Sequence, residues 1–381
     1  MVQSTSYWLR SRTLSAAGRE ATACGRQLFL VAALFLTTHE VLAQEQYFQE
    51  ETVKPRVTFQ WDFLARYDSI YHLRVRPDID RGRFELRPEL GLAVSDRFRV
   101  GVRVVGDLGT DHNEDNPRNF DNYRSRGVAL ERYYIEAKPG PVTILAGSFG
   151  MPLVSSEMLW DRDIQTLGAA VAWDIPAGSS RFTLAAAGFY GPQREHDHTR
   201  IAAGQAVWRW GDPARFALEA AAAYWHFDFR DLNPHYLRQN YVTFVAGQPE
   251  YLSQYHLLDA LVRVRFLLGP IPATVIVDGI RNFGSPTDET NAIEATFALG
   301  RLGAPGQWRF FYTFQHIERD AVPGAYNTDD WWFHSWARGH RIGAAVTVLP
   351  NMFVQGAVVF QQRLDRNTWL NRVTIDLVKM F

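Results

Sequence analysis

The sequence predicts an all-β fold: a transmembrane antiparallel β-barrel of about sixteen strands, or eighteen if two more lie within residues 228–253. Three observations carry this prediction. Beyond Pro55, segments of about 9–13 residues alternate apolar and polar positions with period 2. Their connections alternate between short turns and long polar loops. Charges keep to one face of each segment, and a charge on a lipid-facing position would cost about 2–4 kcal/mol near the midplane.

The segments run over residues 57–67, 83–94, 97–105, 130–137, 142–149, 167–174, 181–190 and 201–210. They continue over 214–227, 254–266, 273–283, 291–299, 307–317, 340–349, 352–362 and 369–381. In 97–105 the alternation is plain. Phe98, Val100, Val102 and Val104 form one face, and Arg97, Arg99 and Arg103 the other. The alanine run in 214–227 is also compatible with a helix. No stretch reaches the roughly 18 apolar residues of a membrane-spanning helix.

Short connections occur at Ser95-Asp96, Pro139-Gly140-Pro141, Gly211-Asp212-Pro213, 268–272, 303–306 and Pro350-Asn351. They hold residues whose backbone is fixed or permissive. The long connections are 107–129, 150–166, 228–253 and 318–339. Short turns at one rim and long loops at the other are the pattern of bacterial outer-membrane barrels, with the turns in the periplasm. Aromatic residues gather near segment ends (Trp61, Tyr67, Tyr190, Trp208, Trp308, Trp369), where a membrane-interface girdle belongs. The last segment places Val373, Ile375, Leu377 and Phe381 on one face. A terminal Phe381 is the kind of signal that the barrel-assembly machinery reads. Lys379 interrupts that face, and its ammonium can snorkel to the headgroups.

Residues 1–43 read as a secretory signal peptide. The apolar run 28–36 is too short to span a bilayer, follows Arg10, Arg12, Arg19 and Arg26, and precedes Val41-Leu42-Ala43. The basic stretch is long for a signal and points to a later start codon. Residues 44–56 form a periplasmic segment and 57–381 the barrel. Cys24 is the single cysteine, which excludes disulfides and cysteine-based metal or nucleophile chemistry in the exported part. Forty basic residues balance 41 acidic ones, which argues against a nucleic-acid partner. Only Lys54, Lys138 and Lys379 are lysines, so the basic residues are nearly all arginine. A GC-rich genome produces that bias by itself.

If the apolar faces meet lipid, the polar faces line the lumen. Arg66, Arg83, Arg87, Arg99, Arg103, Arg132, Arg263, Arg265, Arg309, Arg341 and Arg372 are assigned inward, with Asp62, Glu85, Glu89, Glu136, Glu219, Asp259 and Asp376. Two readings follow. Charges such as Arg83/Glu85 and Arg87/Glu89 brace neighbouring strands. Alternatively, the excess of arginine biases the pore toward anions. The loop Gly150–Ile164 (GMPLVSSEMLWDRDI) is a candidate constriction loop folding inward. Its apolar anchors are Met158, Leu159 and Trp160, and its charges are Glu157, Asp161, Arg162 and Asp163.

Enzymatic signals are weak, and neither a cofactor nor a catalytic residue is assigned. His196 and His198 in REHDHTR have no second group of metal ligands. Asp111–Asn116 is acidic but lacks the spacing of an EF-hand. His226, His256, His316 and His340 fall near segment ends or on apolar faces, and there is no Gly-x-Ser-x-Gly.

From about Arg81 to Phe381 the chain resembles the Gram-negative putative-porin family related to phosphate-selective porins. The segments that carry the resemblance are RGRFELRPELGLAVSDRFRVGVRVV, GSFGMPLVSSEMLWDRDI, HIERDAVPGAYNTDD and RGHRIGAAVTVLPNMFVQGAVVF. The resemblance implies a sixteen- or eighteen-stranded barrel, often a homotrimer, surrounded by outer-membrane lipid and passing small hydrophilic solutes. Two departures stand out. The family often has a basic residue before Asn-Pro-Phe near the third loop, where this chain has Ser148 and then Gly150-Met151-Pro152-Leu153. The lysine-rich lumen of phosphate-selective members has no counterpart here. The expected function is passive diffusion of small solutes, with a mild lean toward anions. A substrate-specific channel, a plugged structural or adhesive barrel and an exported barrel enzyme are the alternatives.

Overall fold

The computed structural model describes residues 56–72, 78–109, 126–191, 199–230 and 234–380. The signal peptide, most of the segment 44–56, the acidic loop 111–116, His196, His198 and Phe381 lie outside the described residues.

Sixteen strands close into one antiparallel barrel. They are β1 (Val57–Tyr71), β2 (Ile79–Ser95), β3 (Phe98–Gly109), β4 (Arg126–Ala137), β5 (Val142–Phe149), β6 (Thr166–Ala177), β7 (Ser180–Tyr190), β8 (Arg200–Asp212) and β9 (Phe216–Asp228). The wall continues with β12 (Tyr255–Leu268), β13 (Ile271–Asn282), β14 (Asn291–Gly300), β15 (Trp308–Ile317), β16 (Ala337–Leu349), β17 (Met352–Arg363) and β18 (Trp369–Lys379). Each strand pairs with its neighbour in the chain, β9 pairs with β12, and β1 closes on β18. Closure leaves no unpaired edge.

Two further strands do lie within residues 228–253. They are β10 (Val242–Val245) and β11 (Gln248–Tyr251), and they pair only with each other. Their two-residue turn, Ala246-Gly247, has positive φ at both positions (49° and 84°), as such hairpins require. The barrel therefore has sixteen strands, not eighteen. The alanine-rich segment is strand β9, held by ladders on both sides.

Several strands extend further toward the long loops than the alternation predicts. β1 continues to Tyr71 and β2 begins at Ile79. Here Asp68, Ser69, Asp80 and Arg81 replace apolar residues, so the hydrophobic pattern fades while the hydrogen-bond ladder continues.

The register defines the two faces. On β12, Leu258 and Val262 are 46% and 43% exposed, whereas Asp259 and Leu261 between them are 2% and 1% exposed. The other strands also expose large apolar side chains outside, while their inner faces mix charged, small and buried apolar residues. An apolar surface of this extent is the lipid-facing belt of a membrane-spanning barrel. Lys379 sits on this outer face with its ammonium 4.0 Å from the Trp61 ring centre, a cation–π contact at the rim. The largest buried apolar cluster lies inside the barrel. The inner faces of β7, β8, β9, β12 and β13 build it together with residues of the inward-folded loops.

Candidate channel interior

β3 and β4 show how local backbone sets the lumen. Arg99 and Arg103 point inward on β3, beside Gly101. Opposite Arg103 the ladder skips one residue of β4, a β-bulge. The bulge turns two consecutive residues, Glu131 and Arg132, to the same inner side. Glu131 then forms an ion pair with Arg103 at 2.5 Å, and Arg132 donates to Gln165 at 2.5 Å. Strict alternation cannot find Glu131, because a bulge is one residue out of phase.

The paired charges form a network along β1–β4 and β16–β18. Arg66 binds Asp376 at 2.8 Å, and Arg372 binds Asp68 at 2.8 Å while itself 1% exposed. Arg83 pairs with Glu85 on its own strand, and Arg87 joins Glu85 at 2.7 Å. Arg87 also reaches Glu131 of β4 at 3.5 Å, so these charges pair both along β2 and across to another strand. Glu89 accepts from Tyr134 at 3.0 Å, and Arg103 reaches Asp62 at 3.5 Å. Arg99 and Arg265 make no ion pair among the described residues.

The register also moves the charge balance. Arg81, Arg181 and Arg209 face inward beside the arginines assigned from sequence, as do Asp68, Asp107, Glu131, Asp174, Asp278 and Glu294. Fourteen arginines of the wall then face thirteen carboxylates. The inward arginine excess expected from sequence nearly disappears.

Two loops fold into this interior. The β5–β6 loop, residues 150–165, is amphipathic across the lumen. Met158, Leu159 and Trp160 are buried on one side of it. Trp160 stacks on Tyr326 at 5.1 Å and on Trp225 at 6.4 Å, and meets Phe189 edge-on at 5.6 Å. Val154 exchanges two hydrogen bonds with the Gln205 amide on β8, at 2.9 and 2.7 Å. On the other side, Asp163 binds Arg87 at 2.8 Å and Glu157 binds Arg341 at 3.1 Å. Asp161 is buried and caps the backbone N–H of Asp163 and Asp329. Arg162 stays 83% exposed, 3.8 Å from Glu157 and within electrostatic reach of Arg263 and Arg309.

The β15–β16 loop, residues 318–336, docks beside it. Asp330 binds Arg66 at 2.7 Å and Arg341 at 3.1 Å, and Asp329 pairs with Arg83 at 3.6 Å. Burial raises the Asp329 carboxyl, but Arg83 and Arg372 more than offset it and hold it at about 2. Arg66 and Arg341 likewise hold Asp330 well below the usual carboxylate range, against the effect of burial. Gln361 fixes Phe333 by a reciprocal pair of 2.7 Å hydrogen bonds. Tyr326 carries the aromatic core between the two loops.

One cluster on the dry side forms no ion pair among the described residues. Asp259, Asp278 and Glu294 face inward on β12, β13 and β14, with exposures of 2%, 0% and 7%. Trp225 donates to Asp259 at 3.3 Å and Gln315 to Glu294 at 2.9 Å. Ser156 of the β5–β6 loop lies against Asp278. Three neighbouring carboxyls buried together cannot all be ionised cheaply. Among the described residues, no group of histidines, cysteines and carboxylates is arranged to hold a metal.

No protein-family profile matches the chain, and no curated protein matches its sequence. Solved structures do match. Pseudomonas putida OprB, in its high-pH structure, is 12% identical with a TM-score of 0.59, over 84% of this chain and 93% of that one. A loop-deletion mutant of OmpT, an outer membrane protein of Vibrio cholerae, is 9% identical with a TM-score of 0.48, over 85% and 99% of the two chains. A mutant of Rh. blastica porin is 11% identical with a TM-score of 0.45, over 84% and 100%. The likeness to OprB establishes a shared fold, that of a porin barrel.

Proposed function

We propose that this protein is a bacterial outer-membrane porin through which small hydrophilic solutes diffuse passively. One observation carries the reading: the inward loop docks its apolar side on one wall and faces the other with charge. Solvent still reaches the charged side, where Asp62 and Asp163 are about a third exposed and Arg162 mostly so. A water path along β1–β4 fits this arrangement; of the residues assigned to line it, Arg87, Arg99 and Glu89 are half-buried, whereas Arg83, Glu85 and Arg103 are buried in ion pairs of the wall. The protein acts as a channel rather than an enzyme. Phosphate selectivity is not part of the proposal, because the barrel holds only Lys138 and Lys379 as lysines.

The near balance of wall charges makes ion preference weak. Anion preference then rests on the exposed Arg162 and on Arg99 and Arg265, which make no ion pair among the described residues. A second reading, a substrate-specific channel closed by its loops, draws on the aromatic core around Trp160 and Tyr326. Single-channel recording of the full barrel in planar bilayers tests both. The porin reading expects ohmic steps that persist across voltage. A silent barrel that conducts only when a particular solute is present would favour the second reading and overturn the first.

A further inference from the structure

We propose that the row Asp259, Asp278 and Glu294 binds the ammonium group of a primary alkylamine, beneath the β5–β6 loop. The carboxyls and the Ser156 hydroxyl accept its N–H donors, and Val154, Leu261 and Ile276 receive its apolar stem. Access from the lumen rests on the channel reading above; the row itself does not.

The register brings the carboxyls together across three strands. Asp278 of β13 stands opposite Glu294 of β14 on one side and Leu261 of β12 on the other. Asp259 is the next inward residue of β12 from Leu261, on the diagonal to Asp278. All three are buried, and none makes an ion pair among the described residues. The neighbouring guanidiniums are engaged elsewhere. Arg341 binds Glu157 and Asp330, each at 3.1 Å, and Arg263 binds Glu219. The donors that do reach the row are neutral, Trp225 on Asp259 and Gln315 on Glu294. Both oxygens of Asp278 and Oδ1 of Asp259 are buried without a hydrogen-bond partner. Buried acceptors without donors are costly, and each such group in a folded protein calls for a partner. A protonated primary amine brings three N–H donors together with a positive charge.

The loop supplies a second, independent observation. Ser156 is 7% exposed, its hydroxyl is buried without a hydrogen-bond partner, and it lies against Asp278. The loop hydroxyl and the wall carboxyls therefore face each other. Glu157, the next residue, is within electrostatic reach of Glu294 and is 27% exposed, so solvent reaches the edge of the row. Beside the row, Leu261 packs with Val207 and Ala221, and Val154 and Ile276 are half-buried against them. An apolar strip next to a set of acceptors suits a short alkyl stem with an ammonium at its end. A quaternary ammonium brings charge without donors, and an inorganic cation brings charge without a stem.

The test is a calorimetric titration of the full barrel in non-ionic detergent with n-butylammonium chloride at neutral pH. One bound amine per barrel is expected. Tetramethylammonium, which has no N–H, and potassium should not compete with it at equal concentration. Asp278→Asn should weaken binding about thirtyfold and Ser156→Ala about fivefold. Asp365→Asn, at the rim, should bind as the wild type does. No binding of butylammonium, equal binding of potassium or tetramethylammonium, or an unaffected Asp278→Asn would each overturn the proposal. Thermal melts of the same samples keep a loss of binding distinct from unfolding. Planar-bilayer conductance separates the two claims, since a silent wild-type barrel sinks the channel reading and leaves amine binding to be judged alone.

Discussion

The two walls of the barrel interior are built on different physics. Along β1–β4 and β16–β18 the inner face is a lattice of arginines and carboxylates, many of them doubly paired. Along β6–β9, above the charges Asp174, Arg181, Arg209 and Glu219 near the short-turn rim, it is mostly alanine and aromatic residues, with Ala187, Ala203 and Ala223 nearly fully buried. The β5–β6 loop reads both surfaces. Its Trp160 side adheres to the alanine wall by packing, and its Glu157 and Asp163 are tied to arginines of the charged wall. A lumen need not be uniformly polar: a loop can dry one half of it and leave the other to solvent.

The largest effects should come from the dry half. Trp160→Ala removes a fully packed indole and should destabilise the barrel by about 3–5 kcal/mol, read by denaturant unfolding in detergent. It should also raise single-channel conductance as the loop loosens. Unchanged conductance would separate loop packing from pore size.

Next is the charged wall. Arg372→Ala leaves the buried Asp68 carboxylate to Arg81 and deprives the Asp329 carbonyl of its donor. A loss of about 1–3 kcal/mol is expected, against under 1 kcal/mol for exposed pairs such as Arg363–Asp365. Equal losses at the two sites would contradict the contrast between buried and rim charges.

A smaller effect of opposite sign is expected at the carboxyl row. Asp278→Asn replaces a buried carboxyl that makes no ion pair among the described residues, so stability should stay level or rise by about 1 kcal/mol. A clear loss would mean that Asp278 has an ionic partner.

The loop tethers also set a pH limit. Asp329 and Asp330 have lowered values in the folded state, so their contribution is complete above the ordinary carboxylate range near 4. It is lost as the pH falls through about 2 for Asp329. Conductance should therefore change little between pH 7 and 4. A transition near pH 5 would point to other groups.

The smallest effect concerns ion preference. Arg162→Gln should move the reversal potential in a salt gradient by a few millivolts toward cations. Arg103→Gln should move it less, because Glu131 already neutralises that guanidinium.

Much of the barrel was legible in the sequence. Where a strand has lipid on one side and water or packed residues on the other, period 2 follows, and the sixteen wall strands appear in order. The hairpin β10–β11 was legible only as a suspicion, because a four-residue strand gives too few alternations. Glu131 was hidden by the bulge. Asp278 was missed because its inward neighbours, Ile276 and Ile280, are apolar, so no polar face announced it. The rule that forbids charge in lipid would have found it: Val275 and Val277 face out, so Asp278 faces in. The loop's apolar residues hinted that it folds inward, but the wall that receives them is assembled from strands far apart in sequence.

The division of the lumen can be tested directly with single cysteines, since the barrel has none of its own. Asp62→Cys on the charged wall and Ala203→Cys on the dry wall are each exposed to a charged, water-soluble thiol reagent during bilayer recording. The two-wall account predicts a rapid fall in conductance for Asp62→Cys and no change for Ala203→Cys. Modification of both at similar rates would contradict it.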